Sequence, residues 1–488
     1  MRLKNNLNIS ILKPNKPDEI LSKLLIYFLW MLFGFSSVYV LLHFFDVTID
    51  VTNDFFRINS FVILIWAVVT FFSALISSYS QRYLQGFKFY RRFMLLCIGF
   101  TLSVMLLVAS NSFFVLLFAW LCMGYLMSNL IGVDKTWGEA RGASKFAKKL
   151  FFMGAAFLSV GLFTLGFYTN EFTINGLYNF NGLPLIVAVF SGLCIVLAGM
   201  IQSAVFPFHK WLLSAMVAPT PASALMHAGF VNGSGILLAL FASLMFDSYM
   251  MNVLFIIGSF TAIIAQFTKL IQVNVKQKLA CSTIAQMGFM IMQCGLGFFN
   301  AAVAHLILHG FYKAYLFLSS GEEIAQTNPR EYYKIRIKPL QAIVVFLFGI
   351  LGAFLFAFWT DKGMAMDSGI FLTLIVAITV GQVTYNIVKE KSLSVFQKII
   401  LPPVLFLTGI GVYALVYNGV TSLMSDLPMI DNPIPLSGVQ VVFGLVFLTG
   451  FFIMKLGIYR KFPWLYVKLM DVSKPHRNTV LMYKSKLS

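Results

Sequence analysis

Charge is scarce in this chain. Of its 488 residues only 11% are Asp, Glu, Lys or Arg, and just 18 are acidic, whereas a soluble domain carries about 25% charged residues. That poverty excludes a water-soluble globular protein. With 59% hydrophobic residues and a mean hydropathy of +0.84, the chain is predicted to be an all-α polytopic membrane protein. Cysteine is also sparse: Cys97, Cys122, Cys194, Cys281 and Cys294 lie in or beside apolar runs without metal-like spacing. They read as plain hydrophobes and say nothing about redox compartment. Nucleophile elbow, phosphate loop, HExxH and any quinone- or flavin-type motif are all missing, so this chain is not expected to be an enzyme. A removable signal peptide does not fit either, because the first apolar run, from Leu21, is too long and lacks a small-residue cleavage site.

What the chain does have is a basic excess, 36 Lys and Arg for a net charge of +18. Its distribution argues against nucleic acid as the partner. The cations gather in the N-terminal tail and in loops at 82–92, 135–149, 276–278, 330–338, 389–398 and 455–477. Alternate loops are acidic or neutral, holding Asp46, Asp50, Asp54, Glu171, Asp247, Asp426 and Asp431. That alternation follows the positive-inside rule and predicts both termini in the cytoplasm of a bacterial inner membrane, with membrane lipids around the chain. Apolar windows of about 20 residues predict about 14 transmembrane helices. The organisation read from them is a basic tail (1–20), a transmembrane domain (21–457, core 58–390) and a second basic tail (458–488).

The parity of these spans holds only if 207–218 does not cross. In FPFHKWLLSAMVAPTP, Pro207 removes a helix hydrogen bond, and Pro219 with Pro221 is expected to stop the next turn. One reading makes 184–218 a discontinuous helix, tolerated where protein or a water-filled cavity satisfies its freed backbone groups; an ordinary amphipathic loop helix is the other.

Ionisable groups stand where they are costly, at about 2.5–3.5 kcal/mol each at mid-bilayer on the lenient insertion scale. His227 follows PTPASAL. His305, His309 and Lys313, in HLILHGFYKAYLF, fall at i, i+4 and i+8, one stripe about 12 Å long. Lys269, in QFTKLIQV, sits near a span end, where snorkelling accounts for it equally. For a lone histidine a satisfied structural hydrogen bond is the commoner role. Three ionisable groups in line favour stepwise proton movement, with Ser282, Thr283, Gln286 and Tyr312 placed to hold waters. Asp361 and Lys362, in FAFWTDKGM, read as an exit pair or as a solvated helix end.

Three stretches in order resemble the proton-conducting antiporter-like family: SAVFPFHKWLLSAMVAPTPASALMHAGFVNGSG, NVKQKLACSTIAQMGFM and AVAHLILHGFYKAYLFLSSGEEI. The family includes the large membrane subunits of respiratory complex I, the multisubunit sodium/proton antiporters and the membrane subunit of DAB-type inorganic carbon transporters. The resemblance implies an inverted-repeat fold with discontinuous helices. It also implies that His227, His305, His309 and Lys313 belong to a central hydrophilic axis and that Asp361–Lys362 matches an ionisable position on the second broken helix.

Two departures qualify it. Pumping members carry a glutamate just after the tryptophan matching Trp120, where this chain has Leu121. They carry a lysine five residues before the proline matching Pro207, where it has Gln202. Only about 30 residues follow the last span, too few for complex I's lateral helix, the family's usual first helix has no evident counterpart, and LYVKLMDVSKPHRNTVLMYKSKLS looks like a DAB tail. The resemblance therefore implies an inorganic carbon transporter subunit, whose large cytoplasmic partner carries zinc in a site like that of β-carbonic anhydrases; this chain itself is expected to hold no cofactor. A complex I pump subunit, a sodium/proton antiporter subunit and a non-conducting membrane anchor are the alternatives.

Overall fold

The computed structural model describes residues 16–47, 49–178, 180, 182–320, 339–362, 365–389, 394–456 and 462–480. Most of the basic N-terminal tail, the loop at 330–338, residues 390–393, the glycine and glutamates of SGEEI and the last eight residues lie outside that set. Helices dominate. In chain order they are α1 (Lys16–His43), α2 (Ser60–Tyr83), α3 (Tyr90–Ala109), α4 (Phe113–Ile131), α5 (Gly138–Thr169), the short α6 (Ile174–Tyr178) and α7 (Leu185–Gln202). Then come α8 (Lys210–Ser214), α9 (Thr220–Leu225), α10 (Gly233–Leu240), α11 (Ala242–Asp247), α12 (Met250–Ile271), α13 (Val275–Gly295) and α14 (Phe299–Leu318). The remaining helices are α15 (Pro339–Thr360), α16 (Gly369–Lys389), α17 (Val395–Leu423), α18 (Gly438–Leu456) and α19 (Pro463–Val472). The only sheet among the described residues is a two-stranded antiparallel pair, Val51–Thr52 with Arg57–Ile58.

Ten helical segments among the described residues are long and apolar enough to cross a membrane, and three shorter apolar helices accompany them. Their starts are written locally. Asn59 accepts from the Val62 amide to cap α2, Asn274 accepts from Gln277 to cap α13, and Ser394 with Gln397 forms a reciprocal capping box on α17. Apolar side chains turn outward along the spans, as α1 shows with Ile20, Leu24, Tyr27 and Met31 exposed. A water-facing helix would not carry that row; a lipid-facing one does. The Thr220–Leu240 segment is the opposite case, with 94% of its most apolar stretch buried, so it forms the centre about which α2, α4, α7, α13 and α14 gather.

The tightest pairing, α12 against α13, depends on small residues, because helices in lipid associate by close packing. A Cβ on Gly258 would lie 2.4 Å from the Met292 amide nitrogen, and one on Gly288 would lie 2.7 Å from that of Ala262. Gly409, by contrast, has nothing within 4 Å of such a Cβ. Gly258→Ala should therefore lower stability by about 1–3 kcal/mol through overpacking, while Gly409→Ala should not destabilise. Thermal unfolding of the detergent-solubilised variants checks this, and equal melting temperatures would contradict the close α12–α13 approach.

Candidate functional site

The break after α7 does not begin at Pro207. It begins three residues earlier, where Ala204 adopts a left-handed conformation (φ 52°). The Ala204 amide donates to the Ile201 carbonyl at 3.3 Å and the Val205 amide to Met200 at 2.9 Å, the paired bonds of a Schellman stop. Nor do the later prolines end a helix. Pro219 is the N-cap of α9 and Pro221 sits in its first turn, where a missing N–H is harmless. Groups freed by the break find partners in the protein. Trp211 Nε1 donates to the Ile201 carbonyl at 2.8 Å, Gln202 Nε2 to Phe230 at 3.2 Å, and Ser203 Oγ to Val231 while contacting Ser234. Thr261 Oγ1 receives the Phe206 amide. Lys276 Nζ donates to the Ala218 carbonyl at 2.8 Å and Gln277 Nε2 to Leu213 at 3.1 Å.

Opposite the break, Met226–Phe230 forms a π-helical turn. Such turns rotate side chains out of the normal helical register and recur at functional sites. His227 sits in it, fully buried, its ring stacked on Phe317 at 4.4 Å, and neither ring nitrogen has a partner among the described residues. On α14, His305 and His309 lie ring to ring at 6.0 Å and 19°. The Nε2 of each is buried without a partner. Lys313 is fully buried and donates from Nζ to the Leu279 carbonyl at 2.9 Å. Phe317, against which His227 stacks, is one turn beyond Lys313, so the four predicted groups are gathered along α14 and the π turn. Alongside His305 stands Phe289, at 5.2 Å, which also lines a cavity of about 510 Å³ with Gln266, Gln286, Gln293, Thr379 and Tyr413. Of the predicted water-holding groups, Ser282 and Thr283 are buried, whereas Tyr312 is exposed on the outer face of α14.

At the far end of α14 a polar chain begins at Asn300. Its Nδ2 donates to Tyr417 Oη at 3.1 Å and to Thr421 Oγ1 at 2.9 Å, and Tyr417 Oη reaches Asp431 at 3.4 Å. Asp431 takes both bonds from Lys362 Nζ, at 2.8 and 3.0 Å. Lys362 therefore pairs with Asp431. Asp361, its neighbour in sequence, is exposed at the end of α15 with φ 54°, because adjacent residues turned through a left-handed bend do not share a direction.

Lys269 is half-buried near the end of α12. Leu121 and Gln202 part company: Leu121 is 37% exposed on the outside of α4, whereas Gln202 is 2% exposed and bonded within the break. Sequence reasoning passed over Lys276, Asn300, Gln293 and Asp431. The lysine at 276 was visible only as part of a basic loop, and the aspartate only as part of an acidic one; their partners are 58 and 69 residues away.

Chemically, unpartnered imidazole nitrogens spaced by about one helical turn can accept and pass protons through intervening waters. Polar side chains at 300, 305, 309 and 313 occupy about 20 Å of a single helix. The Lys362–Asp431 pair, partly shielded at side-chain exposures of 15% and 25%, holds the far end together. The Lys362→Met/Asp431→Asn double variant should be destabilised by less than the sum of its two single variants, with a coupling of about 0.5–3 kcal/mol. A double-mutant cycle on thermal or denaturant unfolding measures it, and strict additivity would deny the pair.

Several known proteins are similar to this chain in sequence or in fold. A probable inorganic carbon transporter subunit, DabB, of Bacillus anthracis is 35% identical over 305 residues, covering 61% of this chain and 59% of the relative. NADH-ubiquinone oxidoreductase chain 5 of Dictyostelium citrinum is also 35% identical, over 282 residues, 54% of this chain and 42% of the relative. The chain thus spans about three-fifths or less of the length of these relatives. Among solved structures, the Mrp complex from Dietzia sp. DQ12-45-1b superposes with a TM-score of 0.64 at 20% identity, over 93% of this chain and 56% of that one. The membrane-bound sulfane sulfur reductase, an archaeal respiratory membrane complex, does so at 0.56 and 19%, over 95% and 96%. The fold is therefore the antiporter-like one. The transmembrane family described as NADH:quinone oxidoreductase/Mrp antiporter matches residues 110–384, which hold the broken helix, His227 and the whole of α14, and the chain belongs to that family.

Proposed function

We propose that this chain is the membrane subunit of an energy-coupled inorganic carbon transporter, and that protons move through it along His227, His305, His309 and Lys313. The observation that carries the reading is the row itself: three histidines with ring nitrogens unpartnered among the described residues and a buried lysine, on and against one helix. Buried ionisable groups without fixed partners are costly, and a structural role would have given the rings hydrogen bonds. The cavity lined by Gln266, Gln286 and Gln293 is separated from His305 by the Phe289 ring, and water in it would lie one side chain away from the histidine. Lys276, in the first turn of α13, is bonded to the Ala218 carbonyl just before Pro219 and is assigned to the cytoplasmic approach. The Asn300–Tyr417–Asp431–Lys362 chain continues the polar line to the opposite end. Lys269, half-buried, is assigned to the entrance.

The carbon-transport assignment is supported by the similarity to probable inorganic carbon transporter subunits. The neutral pair Leu121 and Gln202 counts against a complex I style pump, which relies on a glutamate–lysine pair at those positions. Carbon dioxide hydration at zinc needs three protein ligands and an open position, and no cluster of three His, Cys, Asp or Glu suited to a metal occurs among the described residues. We therefore assign that chemistry to a large cytoplasmic carbonic-anhydrase-like partner, with this chain in the bacterial inner membrane and both termini inside. Proton flow would drive net bicarbonate accumulation.

Lys313→Ala should abolish inorganic carbon uptake by cells expressing the chain with its partner, while membrane assembly and co-purification of a zinc-containing soluble subunit persist. Labelled bicarbonate accumulation and metal analysis of the purified complex provide the readout. Undiminished uptake with normal assembly would remove the relay and favour a non-conducting anchor.

A further inference from the structure

The end of the described chain grips the broken helix. Val472 accepts at its carbonyl from His209 Nε2 at 2.9 Å, and Ser214 Oγ meets the His476 amide and Thr479 Oγ1, each at 3.0 Å. Gln272 donates to Ser473 Oγ at 2.6 Å, and the His476 ring stacks on Phe146 at 4.2 Å. The inner face of α19 is apolar, with Leu469 buried against Ile271 and with Leu465 and Met470 packed beside them.

The outer face has no such cover. Trp464 is 62% exposed and Val467 65%, and Phe462 and Tyr466 are also exposed. Trp464, Val467 and Lys468 fall at i, i+3 and i+4, on one side of the helix, and Lys468 Nζ lies 5.6 Å from the Trp464 ring centroid. Lys474 and Arg477 follow, both exposed, against the single acid Asp471. Position identifies what covers this face. Ile271, on which Leu469 packs, is the last residue of the membrane-crossing helix α12, so α19 lies where that span leaves the hydrocarbon. Leu270 and Val273, at the same level, are exposed and apolar. An amphipathic helix with tryptophan, tyrosine and lysine at that depth has the composition of a segment lying in the membrane interface, and its cations complement anionic headgroups.

We propose that α19 is an interfacial strap: its Trp464–Val467–Lys468 face rests among anionic lipid headgroups while its C-terminal end holds the broken helix at His209 and Ser214. The proposal is independent of the carbon-transport reading, since it requires only a bilayer. Its test uses the full chain in nanodiscs of phosphatidylcholine, with or without phosphatidylglycerol, containing lipids brominated near the headgroup. The difference in tryptophan emission between the parent and Trp464→Phe isolates Trp464. The expected result is quenching of that component by brominated lipid, stronger with phosphatidylglycerol, with the phosphatidylglycerol increment lost in Lys468→Gln/Lys474→Gln/Arg477→Gln. Quenching by aqueous acrylamide and not by brominated lipid would overturn the proposal, marking a face open to water or to a soluble partner. Protection from both quenchers would overturn it as well, since protein would then cover the residue. Gel filtration and melting temperature confirm that each variant is folded.

Discussion

A backbone carbonyl released inside a bilayer has no water to accept from. Everything at the centre of this protein is arranged around one place where that happens, the interruption between α7 and α8. The left-handed Ala204 ends the helix, and the released backbone groups are met by Trp211 of α8, Thr261 of α12 and Gln277 of α13, while Gln202 of α7 donates to the Phe230 carbonyl in the turn after His227. Such a break survives only when fully enclosed. Enclosure is what the Thr220–Leu240 segment and its surrounding helices supply.

The same enclosure sets the electrostatics. His227 approaches α14 because the π turn swings it inward, and Phe317 holds its ring flat against that helix. Lys313 donates to the Leu279 carbonyl near the start of α13, so its Nζ is anchored to the backbone, with no acid paired to it among the described residues. At the other end Lys362 is paired with Asp431, and the pair is bound to α14 through Tyr417 and Asn300.

Membership of a family that spans quinone reductases and antiporters does not choose among their activities, because function resides in the site and not in the fold. Here the informative differences are small. Gln202 keeps a polar side chain in the break but turns it to the Phe230 carbonyl, and Leu121 presents a hydrocarbon to the outside.

Hydropathy, loop charge and the i, i+4, i+8 spacing of His305, His309 and Lys313 were sufficient to establish a polytopic helical membrane protein with a polar stripe on one buried helix, since period and transfer energy are properties of local sequence. The interruption near Pro207 was legible for a similar reason. Its actual start at Ala204, the use of Pro219 and Pro221 to open a helix, the pairing of Lys362 with Asp431 across 69 residues and the grip of the C-terminal segment on His209 were not. A residue's neighbours along the chain dictate its helix, whereas its hydrogen-bond partner is dictated by which distant surface packing brings within about 3 Å. Only the folded bundle decides that.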